Sequence, residues 1–144
     1  MLVWPMLFKL TKVAGVGNTR GAMQTEAKQL TYRDLAPSIV RQRLVVEGTR
    51  GARIDALEIA EYLKALAVEC DMVVLTDPVT HRSDRFGWAG WVHWETSGAH
   101  FYAWEEPRVF FSVDIYTCKA FDAGRVVDFT RRFFDADEVV AKEF

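Results

Sequence analysis

Ser97 stands between Thr96 and Gly98, two small neighbours, at a point where one aromatic run ends and another begins. A serine at a tight, strained junction between strands can attack the carbonyl of the residue before it, converting that peptide bond to an ester. Elimination gives dehydroalanine, hydrolysis gives a pyruvoyl ketone, and the chain is left in two pieces. Such a ketone takes up a substrate amine and draws electrons from it, the service a pyridoxal cofactor performs in other enzymes. Gly98 supplies the freedom such a turn needs. Thr-Ser-Gly on its own is more commonly a β-turn serine bonded to nearby backbone, so its neighbours decide its meaning.

Downstream come Trp104-Glu105-Glu106 and then Val113-Asp114-Ile115-Tyr116-Thr117-Cys118. Three histidines, His81, His93 and His100, lie near Asp84, Glu95 and Glu105 and together offer nitrogen and oxygen ligands for a metal. Their spacing matches no recognised ligand motif, and no metal is expected. A Ser-His-Asp hydrolase is disfavoured because the chain lacks a G-x-S-x-G elbow.

The elements that must position these residues can be read from periodicity. Leu44 to Glu47 forms a short strand closed by Gly48 and Gly51. Ile54, Leu57, Ile59, Ala60, Leu63, Leu66 and Val68 recur at helical spacing, with Glu58, Glu61 and Lys64 exposed. Met72 to Leu75 reads as a buried strand ended by Asp77-Pro78, and a polar loop holds His81 and Arg82. Strands follow over Phe86–Trp94, His100–Trp104 and Val109–Thr117, and such short connections require antiparallel neighbours. Asp122 caps a helix with Val126, Val127, Phe129, Phe133 and Phe134 on its apolar side, and Val139-Val140 is a last strand. The order β-α-β-β-β-β-α-β predicts an α+β fold, an antiparallel sheet with two helices packed on one face. Residues 1–41 form a loosely structured N-terminal extension, with a loose helix over Ala22–Leu35, and 42–144 form the domain.

Length and composition narrow the classes. A chain of 144 residues, half of them apolar, holds one core. A net charge of -2 with basic residues scattered gives no footprint for nucleic acid or an acidic membrane. Two cysteines, Cys70 and Cys118, make no disulfide framework, so a reducing, cytoplasmic setting is expected. The apolar start MLVWPMLFKL is too short to span a bilayer and lacks a basic leader. Aromatic richness suits a β core or a stacking site for a flat ligand.

These motifs together resemble the bacterial and archaeal S-adenosylmethionine decarboxylase family, pyruvoyl enzymes made as self-cleaving proenzymes. Family members read E-S-H, then H-T-W-P-E, then D-x-F-T-C. Here Ser97 holds the serine place, Trp104-Glu105-Glu106 resembles W-P-E, and Asp114 to Cys118 resembles the last strand. His81-Arg82 and the stretch to Gly90 resemble H-R-F-x-P-x-G-x-S-G at equal spacing, and the likeness covers roughly 42–144. It implies that Ser97 becomes the pyruvoyl group, after cleavage between Thr96 and Ser97. Cys118 would then supply the proton after carbon dioxide leaves, and Glu106 would hold the ribose hydroxyls of the substrate beside Trp104. For each the plain alternative is structural: an inert cysteine at a strand end, an exposed turn glutamate, a core tryptophan. Three family residues are replaced: the processing serine by Ala89, the processing histidine by Tyr102, and the histidine after the cleavage serine by Gly98. His100, on the same strand face as Tyr102, is a substitute, and His93 is another.

The resemblance implies an S-adenosylmethionine decarboxylase-like sandwich and a carboxy-lyase of polyamine (spermidine) synthesis. Its substrate would be S-adenosylmethionine, or a basic amino acid as in some relatives, and it would act as a homodimer. The alternative is a non-cleaving homologue that binds a nucleoside, an amino acid or a partner subunit, and a third is a pure interaction module.

Overall fold

A computed structural model describes residues 33–144, and Asp34–Phe144 make one compact unit. The helix expected over Ala22–Leu35 lies outside the described residues except at its last three, which are not helical. Eight elements follow: β1 (Gln42–Thr49), α1 (Ala56–Glu69), β2 (Val79–Ser83), β3 (Gly87–Trp94), β4 (Ser97–Trp104), β5 (Phe110–Thr117), α2 (Ala123–Phe133) and β6 (Glu138–Glu143). The strands make one sheet in the order β2-β3-β4-β5-β1-β6, and each neighbouring pair is antiparallel. The α+β class is as expected.

Alternate residues of each strand face opposite ways, and burial follows that alternation. Leu44 and Val46 of β1, Phe101 of β4, and Phe111, Val113 and Ile115 of β5 are buried. Both helices lie over this side. The opposite side presents Arg43, His93, His100, Tyr102 and Tyr116 to solvent. The sheet therefore has one covered and one open face.

Each helix starts where an aspartate satisfies a free amide. Asp55 Oδ1 accepts from the Glu58 N–H at 2.9 Å, and Asp122 Oδ1 accepts from the Arg125 N–H at 3.0 Å. On α1 the buried stripe is Ile59, Tyr62, Leu63, Leu66 and Ala67, whereas Leu57 and Val68 of the expected stripe are exposed. Tyr62 enters because it is amphipathic. Its ring packs against Phe101, Phe133 and Phe134, and its hydroxyl meets Thr130 Oγ1 at 2.8 Å.

One strand sits elsewhere than expected. Met72 to Leu75 is not a buried strand: Val73, Val74 and Leu75 are exposed, and only a single bridge, Val74 with Trp94, joins the segment to β3. The second strand is instead Val79–Ser83, the segment expected to be a polar loop. It pairs with β3 at the sheet edge, Val79 with Trp91 through Ser83 with Gly87. An edge strand exposed on both sides carries no apolar signature, so pairing rather than burial defines it.

Candidate active site

The β3–β4 turn consists of Glu95 and Thr96, and Ser97 is the first residue of β4, opposite Trp94. Its φ is +145°, a region side-chain-bearing residues rarely occupy and one that costs about 1–3 kcal/mol. The register of β4 with β5, Ser97 against Thr117, brings Cys118 alongside. The Cys118 N–H donates to the Thr96 carbonyl oxygen at 2.8 Å and to Ser97 Oγ at 3.1 Å. Ser97 Oγ in turn lies 3.7 Å from Cys118 Sγ. One amide thus bonds to both the carbonyl before Ser97 and the hydroxyl that would attack it.

The turn is fastened on its other side by the segment after α1. The Glu95 N–H donates to the Val73 carbonyl at 2.9 Å, and Thr96 Oγ1 to Met72 Sδ at 3.2 Å. Lys119, next to Cys118, reaches the Asp71 carbonyl and carboxylate, both at 2.6 Å. That contact holds the Asp71 carboxyl below the usual carboxylate range. A strained residue persists only where its surroundings over-determine it, and these bonds do so from two directions.

Beside Ser97 the open face carries a cavity of about 510 Å³ lined by Ser97, His93, His100, Arg43, Asp114 and Tyr116 among others. Arg43 forms a two-pronged pair with Asp114, Nε to Oδ1 at 2.9 Å and Nη2 to Oδ2 at 2.6 Å. Asp114, which helps define the strand motif, is therefore occupied by a cation within its own protomer. The part played by Arg43 was not legible in sequence, because only the β1–β5 register brings the two together.

Tyr102 and Trp104 do not join Ser97. They line a second cavity of about 480 Å³ on the same face, with His81, Arg82, Phe86 and Ala89. The Trp104 ring packs against Tyr102 and Phe110 at 5.9 and 5.3 Å. Glu106 lies past the end of β4 and is exposed, 3.8 Å from Arg53. Ser97 and Trp104 are the two ends of β4, about 23 Å apart at ~3.3 Å per residue. Within one protomer, Glu106 is out of reach of Ser97.

Glu105, in the place of the family's proline, is nearly buried. It pairs with Arg82 at 3.1 Å and Arg53 at 3.3 Å, and its N–H donates to the Phe86 carbonyl at 2.9 Å. These contacts tie the Trp104–Glu106 turn to the β2–β3 connection. This cluster is not legible in sequence, since its members come from three separate segments.

Cys70, the other thiol, is buried in the core. Burial pushes its pKa up to about 12, helped by Glu69 and partly opposed by Arg125, so it stays an inert thiol. Cys118 is exposed. Among the described residues no three His, Cys, Asp or Glu side chains converge to hold a metal, and no helix is long and apolar enough to cross a membrane.

Comparison with known proteins agrees with this fold. The S-adenosylmethionine decarboxylase family model matches residues 46–144, most of the chain, and the protein belongs to that family. Among solved structures it is similar to the adenosylmethionine decarboxylase of Aquifex aeolicus VF5. That likeness has a TM-score of 0.59 at 19% identity and covers 74% of this chain and 89% of that one. The comparison with curated proteins returns no match. The fold is thus that of the decarboxylase family, and the family suggests a carboxy-lyase acting on S-adenosylmethionine.

Proposed function

We propose that the chain cleaves itself between Thr96 and Ser97 and decarboxylates S-adenosylmethionine through the pyruvoyl group so formed. The observation that carries this reading is the Cys118 amide, bonded at once to the Thr96 oxygen and to Ser97 Oγ. It polarises the carbonyl to be attacked, holds the nucleophile beside it, and points at the oxygen that gains negative charge. In the acyl shift the Oγ–C bond forms and the C–N bond breaks. The Oγ proton passes to the released Ser97 nitrogen, leaving an ester and an amine. Strain at Ser97 lowers the barrier by weakening the starting state.

The residues fit the group: Ser97 is its source, and a thiol stands 3.7 Å from the oxygen that is lost. Once formed, the group supplies an electron sink for the bond to carbon dioxide. Cys118 returns a proton to the substrate carbon after carbon dioxide leaves. Arg43 is neutralised by Asp114, which keeps a free cation from holding the departing carboxylate in place. Trp104 and Glu106 receive the nucleoside, Trp104 by stacking and Glu106 by accepting from the ribose hydroxyls. Tyr102 donates a hydrogen bond where the family has histidine, and His100 stands in the cavity with Ser97.

The two cavities on one open face need a second copy. Stacking two open faces about a two-fold axis, with β4 strands antiparallel, sets one protomer's Ser97 near its partner's Glu106 and covers the exposed aromatics. A homodimer follows from this reading.

The test is the denatured mass of fresh protein with and without borohydride. Two fragments parted before Ser97, the second bearing a reducible carbonyl, support the reading; an intact chain of 16.5 kDa, stable for days, sinks it. A second reading, a non-cleaving binder of a nucleoside or amino acid, is favoured by the replacements at Ala89, Gly98 and Tyr102. The intact chain with retained ligand binding would select it.

A further inference from the structure

We infer that His93 is the proton carrier for the acyl shift at Ser97, in a chain that has Tyr102 at the place of the family's processing histidine and Gly98 at that of the histidine after the serine; this rests on the self-cleaving reading above. In the β3–β4 register Gly98 stands directly opposite His93, and Ser97 opposite Trp94. A Cβ at position 98 would come 2.4 Å from the Val92 carbonyl oxygen. A histidine is therefore excluded there, and the imidazole is offered by the residue across the ladder instead.

His93 is the better placed of the two imidazoles in the cavity. His100 is three residues along β4 from Ser97, about 10 Å at ~3.3 Å per residue. His93 is one position from direct opposition to Ser97 on the adjoining strand, a backbone diagonal of about 6 Å at ~4.8 Å between strands and ~3.3 Å per residue. Regular alternation would turn Ser97 away from His93, but the positive φ at Ser97 breaks the pleat, and both line the one cavity. The His93 ring meets the Trp91 ring edge-on at 4.8 Å, which restricts its orientation. The Cys118 amide already serves the oxygen, so a proton acceptor is the part still to be supplied.

The Ser97 hydroxyl faces Cys118 Sγ, and rotation about Cβ–Oγ turns its proton to the cavity. The imidazole takes that proton, directly or through one water, as Oγ bonds to the Thr96 carbon. When the C–N bond breaks, the imidazolium returns the proton to the Ser97 nitrogen. Charge and atoms balance, and the imidazole is regenerated.

The experiment follows cleavage of freshly synthesised full-length chain by denatured mass in wild type, His93→Ala and His100→Ala, with and without free imidazole. His93 lies outside the protomer's core, so its removal leaves the protomer's fold intact, and His93→Gln repeats the test should the alanine variant melt abnormally. Cleavage in His93→Ala slows by about 100-fold, more than in His100→Ala, and recovers in proportion to added imidazole. A His93→Ala chain that cleaves at the wild-type rate, or is slow and indifferent to imidazole, overturns the assignment and leaves the pyruvoyl reading standing. A wild-type chain that never cleaves removes the pyruvoyl reading itself, before any variant is compared.

Discussion

Restoring a side chain at position 98 should damage the site. The Cβ of alanine would sit 2.4 Å from the Val92 carbonyl oxygen, against an ordinary C···O contact of about 3.3 Å. The obstacle is backbone within the β3–β4 ladder, with no flexible side chain to yield, so the strands must part by about 0.9 Å there. Overpacking of this kind costs about 1–3 kcal/mol. Replacing a strand glycine returns about 0.5–1 kcal/mol of chain entropy, and the mid-range values leave a net loss of about 1 kcal/mol. For the unit Asp34–Phe144, that lowers Tm by about 4 °C. Thermal unfolding of Gly98→Ala beside Gly51→Ala makes the test, because a Cβ at Gly51 meets nothing within 4 Å. Gly51→Ala should stay within about 0.5 kcal/mol of wild type. Gly98→His carries the same Cβ and should lose stability too, without gaining the family histidine's benefit. If Gly98→Ala melts at or above wild type, as its control does, the steric argument fails and the case for His93 weakens with it.

The remaining predictions concern the core and the thiols. Thr130 Oγ1 donates to the Val126 carbonyl at 2.8 Å, so the buried Tyr62 hydroxyl must donate to it. Thr130→Val strands that hydroxyl and should cost about 1–3 kcal/mol, whereas Tyr62→Phe should cost about 0.5–1.5 kcal/mol; urea unfolding of both singles and the double variant checks the order. Cys70, raised to about 12 by burial, is ionised to about one part in ten thousand at pH 8. Ellman titration of the native chain should therefore find Cys118 alone, and the denatured chain should show both thiols. A fast second thiol in the native state would contradict the burial of Cys70.

How much was legible depended on whether a feature was local. The α+β class, both helices and the Asp122 cap followed from periodicity and residue type, because alternation and helical spacing are properties of neighbouring positions. The edge strand β2 was missed because its Val79-Thr80-His81-Arg82-Ser83 is solvated on both sides and pairs only through β3. Met72 to Leu75 read as a strand because it is apolar, yet it crosses the end of the sheet and serves to hold the Ser97 turn. Ser97 and Cys118 were singled out as motif residues. Their contact, and the separation of Tyr102 and Glu106 from them, depend on register. Arg43 with Asp114, and Glu105 with Arg53 and Arg82, were invisible for the same reason, since partners far apart in sequence leave no spacing to read.

The replaced residues bear unequally on cleavage, and the reason lies in which parts of the site are main chain. Self-cleavage needs a strained peptide, a donor for the carbonyl oxygen and a carrier for one proton. Here the first is the φ of Ser97 and the second is the Cys118 N–H. Both are set by strand register and by the bonds from Val73, Met72 and Lys119, and those bonds use no side chain at Ala89, Gly98 or Tyr102. Losing a serine, a histidine and another histidine at those positions leaves these two requirements untouched. Only the third depends on a side chain, and general acid–base help is worth about 10²–10⁴ in rate. On the self-cleaving reading the replacements would therefore slow or re-route the proton transfer, and on the non-cleaving reading that missing transfer alone would keep the chain whole.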